Sequence, residues 1–245
     1  MPQERVTIVV PTYNERDNLP RLVEGLARAV PRPWRVLVVD DASPDGTAAV
    51  ARRLAQDHPV DLLERSGKLG LGSAYRQGFS RVSEGLVVTM DADLSHDPRF
   101  VPELIASVRA GADLALGSRY VPGGRSVGWT MRRRITSRAA NLLARATLHL
   151  PVRDVTTGFR CYGPRARSLA LETLSDGYAF QIEAVHLAAQ AGLALREVPI
   201  EFRDRRIGAS KLGSIEVVKF LRTLRRLRAV RRAEDRRMAR VRTGS

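Results

Sequence analysis

Apolar positions come first in short unbroken runs. Val6–Val10, Val36–Val39, Val60–Leu63, Leu86–Met90 and Leu114–Leu116 are rich in Val, Ile and Leu and carry few polar residues. Runs of this length and branching predict buried strands. Pro11 is expected to end the first. The stretches between them alternate apolar and polar positions at helical spacing, predicting helices over Asp17–Val30, Gly46–Asp57, Ser73–Val82 and Pro98–Ala110. Pro20 suits a first helical turn, and Pro31 and Pro33 stop the first helix. Strands apolar throughout, alternating with helices, predict an α/β fold: a mainly parallel, Rossmann-like sheet with helices on both faces.

After Tyr120 the pattern changes. Residues 129–150 repeat Met131, Ile135, Ala139, Leu142 and Ala146 at helical spacing, with Arg132, Arg133, Arg134, Arg138 and Arg145 among them. Such a helix either packs on the core with a solvated basic face or lies in a membrane interface. A strand near Phe159–Tyr162, a helix near Phe180–Ala191 and a strand over Leu195–Phe202 follow. Val217, Phe220, Leu221, Leu224, Leu227 and Val230 then form a second apolar stripe among arginines. Two parts result: a globular α/β domain over 1–215 and a basic amphipathic helical tail over 216–245.

The polar motifs cluster where a parallel sheet binds ligands, beyond the carboxyl ends of its strands. "PTYNE" follows the first strand, "DDASPDGT" the second and "MDADLSHDP" the fourth. In an extended segment Asp91 and Asp93 face the same way, roughly 7 Å apart at Cα. Two such carboxylates suit a hard divalent cation shared with substrate phosphates. Asp40 and Asp41 are placed to accept ribose hydroxyls or to cap the next helix. "GKLGLG", 67–72, lacks the order of a phosphate-binding P-loop. It reads instead as a loop where backbone approaches closely, with Lys68 available to an anion. "DRRIGASKL", 204–212, reads either as a mobile basic loop that closes over a diphosphate or as a solvated turn. His96, beside the acidic motif, is assigned a local structural role, and Cys161 a place in the core.

Net charge is +15, of which Val217–Ser245 supplies +9, from 11 Lys and Arg against two acids. That charge raises the possibility of a nucleic-acid binder. Aromatics are only 5% and the tail carries just one, Phe220, so nucleic acid is not expected as a partner. No uncharged run approaches the roughly 20 residues that span a bilayer. A single cysteine leaves no internal disulfide, and no secretory leader is evident, so a cytoplasmic chain is expected.

"PTYNE", "VDDASPDGT", "MDADLSHDP", "GSRY", "DVTTGFR", "FQIE" and "DRRIGASKL" stand here in one order. Together they resemble the polyprenyl-phosphate (dolichol-phosphate) mannose synthases, inverting family 2 glycosyltransferases of the GT-A fold. The likeness runs from about Val6 to Leu212. It implies GDP-mannose as donor, a polyprenyl monophosphate lipid as acceptor, and Mg²⁺ or Mn²⁺ as cofactor. It implies that Pro11, Tyr13, Glu15, Val39 and Asp41 cradle the nucleoside. Asp91, Ala92 and Asp93 would meet the donor diphosphate, with the metal on Asp91 and Asp93. Ser95 stands where some members carry a glutamine ligand. Arg206, Ser210 and Lys211 would close on the diphosphate, and Arg119, Arg133 and Ser137 would grip the acceptor phosphate. Glu183 is given a structural or sugar-contacting role. UDP-glucose is the rival donor. A lipid acceptor, with two basic amphipathic segments, implies peripheral attachment to an anionic cytoplasmic membrane face, directly or through a membrane partner protein.

Overall fold

The structure, a computed structural model, describes residues 5–204 and 218–230. The early apolar runs form β1 (Val6–Thr12), β2 (Trp34–Asp40), β3 (Val60–Glu64), β4 (Leu86–Thr89) and β5 (Leu114–Ser118). Between them lie α1 (Leu19–Ala29), α2 (Thr47–Leu54), α3 (Leu71–Ser80) and α4 (Val101–Arg109). The later part adds β6 (Arg125–Val127), α5 (Met131–Leu148), β7 (Arg160–Tyr162), α6 (Pro164–Leu171), α7 (Ala179–Gln190), β8 (Leu195–Pro199) and β9 (Glu201–Arg203).

Seven strands form one sheet in the order β3-β2-β1-β4-β7-β5-β8. Only β7 is antiparallel to its neighbours, so the other six deliver their carboxyl ends to one edge. Alternate residues of each strand point to opposite faces. On one face Ile8, Val10, Val36 and Val38 pack under Leu22, Leu26 and Leu104. On the other, Val9, Leu37 and Val39 pack under Tyr75, Phe79 and Phe180. The core therefore holds that edge rigid from both sides.

Several boundaries differ from the pattern's expectation, each for a physical reason. β1 runs through Pro11 to Thr12, paired with β2. Its pairing with β4 stops at Val9–Thr89, so on that side Pro11 sits where no ladder bond is needed. β4 itself ends at Thr89, and Asp91 and Asp93 lie beyond it, Asp93 within a bend over 92–95 that has Leu94 at φ 62°. The extended spacing expected for the two carboxylates is therefore replaced by a turn. α3 begins at Leu71, inside the expected glycine loop. The strand expected over Leu195–Phe202 breaks at Pro199 into β8, in the main sheet, and β9, which pairs with β6 in a second, two-stranded sheet. β6 and α6 lie outside the elements expected.

α5 shows which face of 129–150 turns inward. Asn141, Ala144 and Leu148 face the core, while Met131, Ile135 and Leu142 are all more than 60% exposed. The apolar stripe faces outward beside exposed arginines, so packing on the core does not account for it. The described part of the tail behaves oppositely. Residues 218–230 are helical, and Leu224 and Leu227 are buried in the core cluster beneath α3 and α7, with Phe220 against it. Half of the stripe expected to meet a membrane, Phe220, Leu224 and Leu227, is therefore spent on the domain itself, while Leu221 and Val230 stay exposed, as does Val218 beside them. Val217 lies outside the described residues. Among the described residues no helix is long and apolar enough to cross a membrane.

Candidate active site

The site is built along the sheet edge, outward from β2 and β1. Asp40 closes β2 and is buried; its carboxylate accepts from Thr12 Oγ1 at 2.8 Å and from Ser43 N and Oγ at 2.9 and 2.6 Å. It is a structural clamp joining two strand ends. Asp45, not Asp40 or Asp41, orders the start of α2 by accepting from Thr47 N at 3.0 Å and Oγ1 at 2.6 Å. Asp41 is left to face the site, held by Arg65 Nη1 at 2.5 Å, with Arg65 almost fully buried. Burial pushes the Asp41 carboxyl up, and the guanidinium's attraction offsets only part of that.

Pro11 and Val39 are paired residues of β1 and β2, Val39 fully buried, so they supply a wall rather than polar contacts. Tyr13 is partly exposed with the Lys68 ammonium 4.1 Å from its ring centroid. Lys68 and Tyr13 thus come from two separate segments and meet. Glu15 anchors the same turn: its backbone N donates to Thr47 Oγ1 at 3.0 Å and its carboxylate accepts from Asn18 Nδ2 at 2.8 Å.

At the centre, Asp93 is buried, and Oδ1 accepts from Ser95 N at 3.0 Å and Ser95 Oγ at 2.5 Å. Ser95, 1% exposed, therefore aims the Asp93 carboxylate and is not itself turned to the site. Ala92 is buried between the two aspartates. Asp91 keeps 31% of its side chain accessible, with His96 Nδ1 3.7 Å from Oδ2. Asp91's backbone N also donates to His96 Nδ1 at 3.0 Å, which fixes that nitrogen as an acceptor. Burial lowers the affinity of His96 for a proton, the Asp91 charge working against it. A neutral His96, stacked on Phe159 at 4.9 Å, so braces the acidic turn, the structural role expected of it.

Arg119 follows β5 and is buried. It lies across Trp129 at 5.1 Å, and Arg133 of α5 lies over the same ring at 4.3 Å. Trp129 in turn meets Phe202, which meets His96, so both arginines connect to the acidic turn through three rings. Arg119 is gripped by Asp154, which sequence reasoning left unassigned, and Arg133 pairs with Asp204 at 2.6 Å. Ser137 Oγ accepts from Tyr120 OH at 2.6 Å. Behind this wall lies an open groove of about 590 Å³, lined by Arg138, Arg145, Arg153, Asn141 and Leu142. Glu183 accepts from Ser175 N at 2.9 Å and pairs with Arg226 at 2.9 Å. Arg206, Ser210 and Lys211 lie outside the described residues.

Oxygen donors at the centre fit a hard cation. Asp93 is pre-aimed and Asp91 is accessible. Among the described residues no group of three or more His, Cys, Asp or Glu side chains gathers where it could hold a metal ion.

The glycosyl transferase family 2 profile matches residues 7–170. A polyprenol monophosphomannose synthase of Mycolicibacterium smegmatis is 43% identical over 227 residues, covering 88% of this chain and 84% of that protein. An undecaprenyl-phosphate mannosyltransferase of Micrococcus luteus is 44% identical over 215 residues, covering 85% and 88%. Among solved structures, glucosyl-3-phosphoglycerate synthase of Mycobacterium tuberculosis with phosphoglyceric acid superposes with a TM-score of 0.73 at 20% identity, over 93% of this chain and 81% of that one. The likeness in sequence is to enzymes of the group that the motifs resemble, and the likeness in structure is to a glycosyltransferase fold.

Proposed function

Because this chain belongs to glycosyl transferase family 2, we propose that it moves mannose from GDP-mannose to a polyprenyl monophosphate, giving the β-linked lipid phosphosugar. One observation carries the reading. The Asp91–Asp93 turn sits mid-edge, with the Asp41–Arg65 and Tyr13–Lys68 pairs on one side and the Arg119–Trp129–Arg133 wall on the other. A nucleotide sugar fits the first side, and a phosphate acceptor fits the second.

The acceptor phosphate is already anionic, so no side chain has to remove a proton from it. What the chain must supply is relief of repulsion between two anions, and positioning. In the step proposed, an acceptor phosphate oxygen forms a bond to the sugar C1 as the C1–oxygen bond to the nucleoside diphosphate breaks, inverting that centre. Asp91 and Asp93 would hold Mg²⁺ or Mn²⁺, which supplies charge neutralisation of the departing diphosphate. Arg133 and Ser137, on one face of α5, orient the acceptor phosphate, and Arg119, fixed by Asp154, completes the wall beside it. Arg206, Ser210 and Lys211 complete the donor side in this reading.

The outward stripe of α5 gives the lipid its route. Met131, Ile135 and Leu142, with the arginines among them, seat in an anionic membrane surface and bring Ser137 and Arg133 to headgroup depth. Transfer of labelled sugar to a polyprenyl phosphate in anionic vesicles, with GDP-mannose and UDP-glucose offered separately, tests the reading. Transfer from GDP-mannose supports it. Transfer from UDP-glucose alone replaces the donor and keeps the mechanism. Transfer from neither overturns it.

A further inference from the structure

Gln181, on α7, is 2% exposed, yet neither its amide nitrogen nor its amide oxygen has a hydrogen-bond partner among the described residues. The same holds for Tyr75 Oη on α3, a fully buried side chain. These atoms lie together. The point that a Cβ on Gly158 would occupy is 3.3 Å from Gln181 Nε2, 3.6 Å from Tyr75 Oη and 3.7 Å from Asp91 Oδ1. Gly158 is pinned there, its carbonyl accepting from Thr89 Oγ1 at 2.7 Å at the end of β4. The absent side chain leaves a methyl-sized space beneath Asp91, faced by an amide and a phenol.

Each unmade buried hydrogen bond is a standing cost, and native interiors rarely tolerate several at one point. The surrounding packing does not need these polar atoms. Tyr75 stacks on Phe180 with centroids 5.3 Å apart, and both rings pack in an apolar cluster with Phe79. Phe and Met in place of Tyr and Gln would fill the same volume without orphaned groups. The polarity is explained by a partner that arrives with substrate. Amide and phenol each donate and accept and carry no charge, which matches hydroxyl groups, themselves donors and acceptors.

We infer that Gln181, with Tyr75, forms a seat for hydroxyls of the hexose carried by the nucleotide-sugar donor, and so helps to choose which sugar is transferred. This rests on the donor reading of the Asp91–Asp93 turn, though not on which nucleotide the donor carries.

The test uses the full chain with Mn²⁺ and compares wild type with Gln181→Met and Tyr75→Phe. Calorimetry gives affinities for GDP, GDP-mannose, UDP and UDP-glucose, and transfer kinetics give kcat and KM. The expected result is a loss of about tenfold or more in sugar-nucleotide affinity or in kcat/KM, the scale of one lost hydrogen bond. The sugar-free diphosphate should bind as before, with a melting temperature unchanged or raised. Equal loss for diphosphate and sugar nucleotide, or no loss for either, overturns the inference while leaving the donor site standing. A wild type that binds none of the four overturns the donor reading, and the inference with it.

Discussion

Arg119 closes on Asp154 through two hydrogen bonds of 2.7 Å, from Nε and Nη2, and both side chains are buried. Asp154 also accepts Arg119's own backbone N at 3.0 Å. "GSRY" and "DVTTGFR" are thereby one unit, and the arginine at the acceptor wall is held before any acceptor arrives. Removing one partner strands a buried charge. Asp154→Ala should cost about 3–5 kcal/mol in unfolding free energy by urea titration. A loss under about 1 kcal/mol, the range of a surface pair, would show that the pair is not buried in solution.

The same pair sets an acid limit. Burial by itself would raise the Asp154 carboxyl, but Arg119's charge and hydrogen bonds outweigh it and hold the carboxyl below its ordinary value of 3.8. A carboxyl depressed in the folded state contributes stability that is whole above the unfolded value and lost as pH falls through the folded one. Stability attributable to this pair should therefore be flat above about pH 5 and fall only in the acid range. Asp154→Asn should flatten that acid limb. A limb unchanged in the variant would assign it to other carboxylates.

The glycine loop reports on packing. A Cβ on Gly72 would overlap the Ser175 carbonyl oxygen, and Gly70, at φ +96°, lies as close to the Asp176 carbonyl. Gly72 N donates to Asp176 O at 2.8 Å, tying α3 to the loop before α7. Gly72→Ala should lower stability by about 1–3 kcal/mol, as overpacking does, and Gly67→Ala, with nothing within 4 Å, should not. Thermal melts of the two variants check the contrast.

That loop was legible because glycine spacing is a local signal. The central strands were legible for the same reason: an apolar run that ends on aspartate says both strand and site. What stayed hidden depends on register between distant segments. Arg65 reaches Asp41 from 24 residues away and Asp154 reaches Arg119 from 35, and no local pattern pairs them. Gln181 was quoted within a motif, but its orphaned amide exists only once Gly158 and Tyr75 are packed beside it. The 131–146 stripe was visible as a period. Its outward direction depends on Asn141, a polar residue, which takes the inward face and binds Val155 N at 2.8 Å and Thr156 Oγ1 at 3.0 Å.

Direction decides the α5 prediction. Replacing Met131, Ile135 and Leu142 together by serine should weaken co-sedimentation with anionic vesicles by at least about a hundredfold, since burying each such side chain contributes about 1.5–3 kcal/mol. Nucleotide affinity should be unchanged, as none of the three lines the donor side. Vesicle binding at wild-type strength would move the membrane surface elsewhere.

The most direct test of the central claim is metal-dependent transfer by wild type and Asp93→Asn side by side, at matched protein and saturating donor. EDTA should abolish transfer and Mg²⁺ or Mn²⁺ restore it, with Asp93→Asn slower by about 10²–10³-fold or more. Its fold should be retained, because Ser95 can still donate to the remaining amide oxygen. Transfer that survives EDTA, or an Asp93→Asn enzyme that works at the wild-type rate, would contradict it.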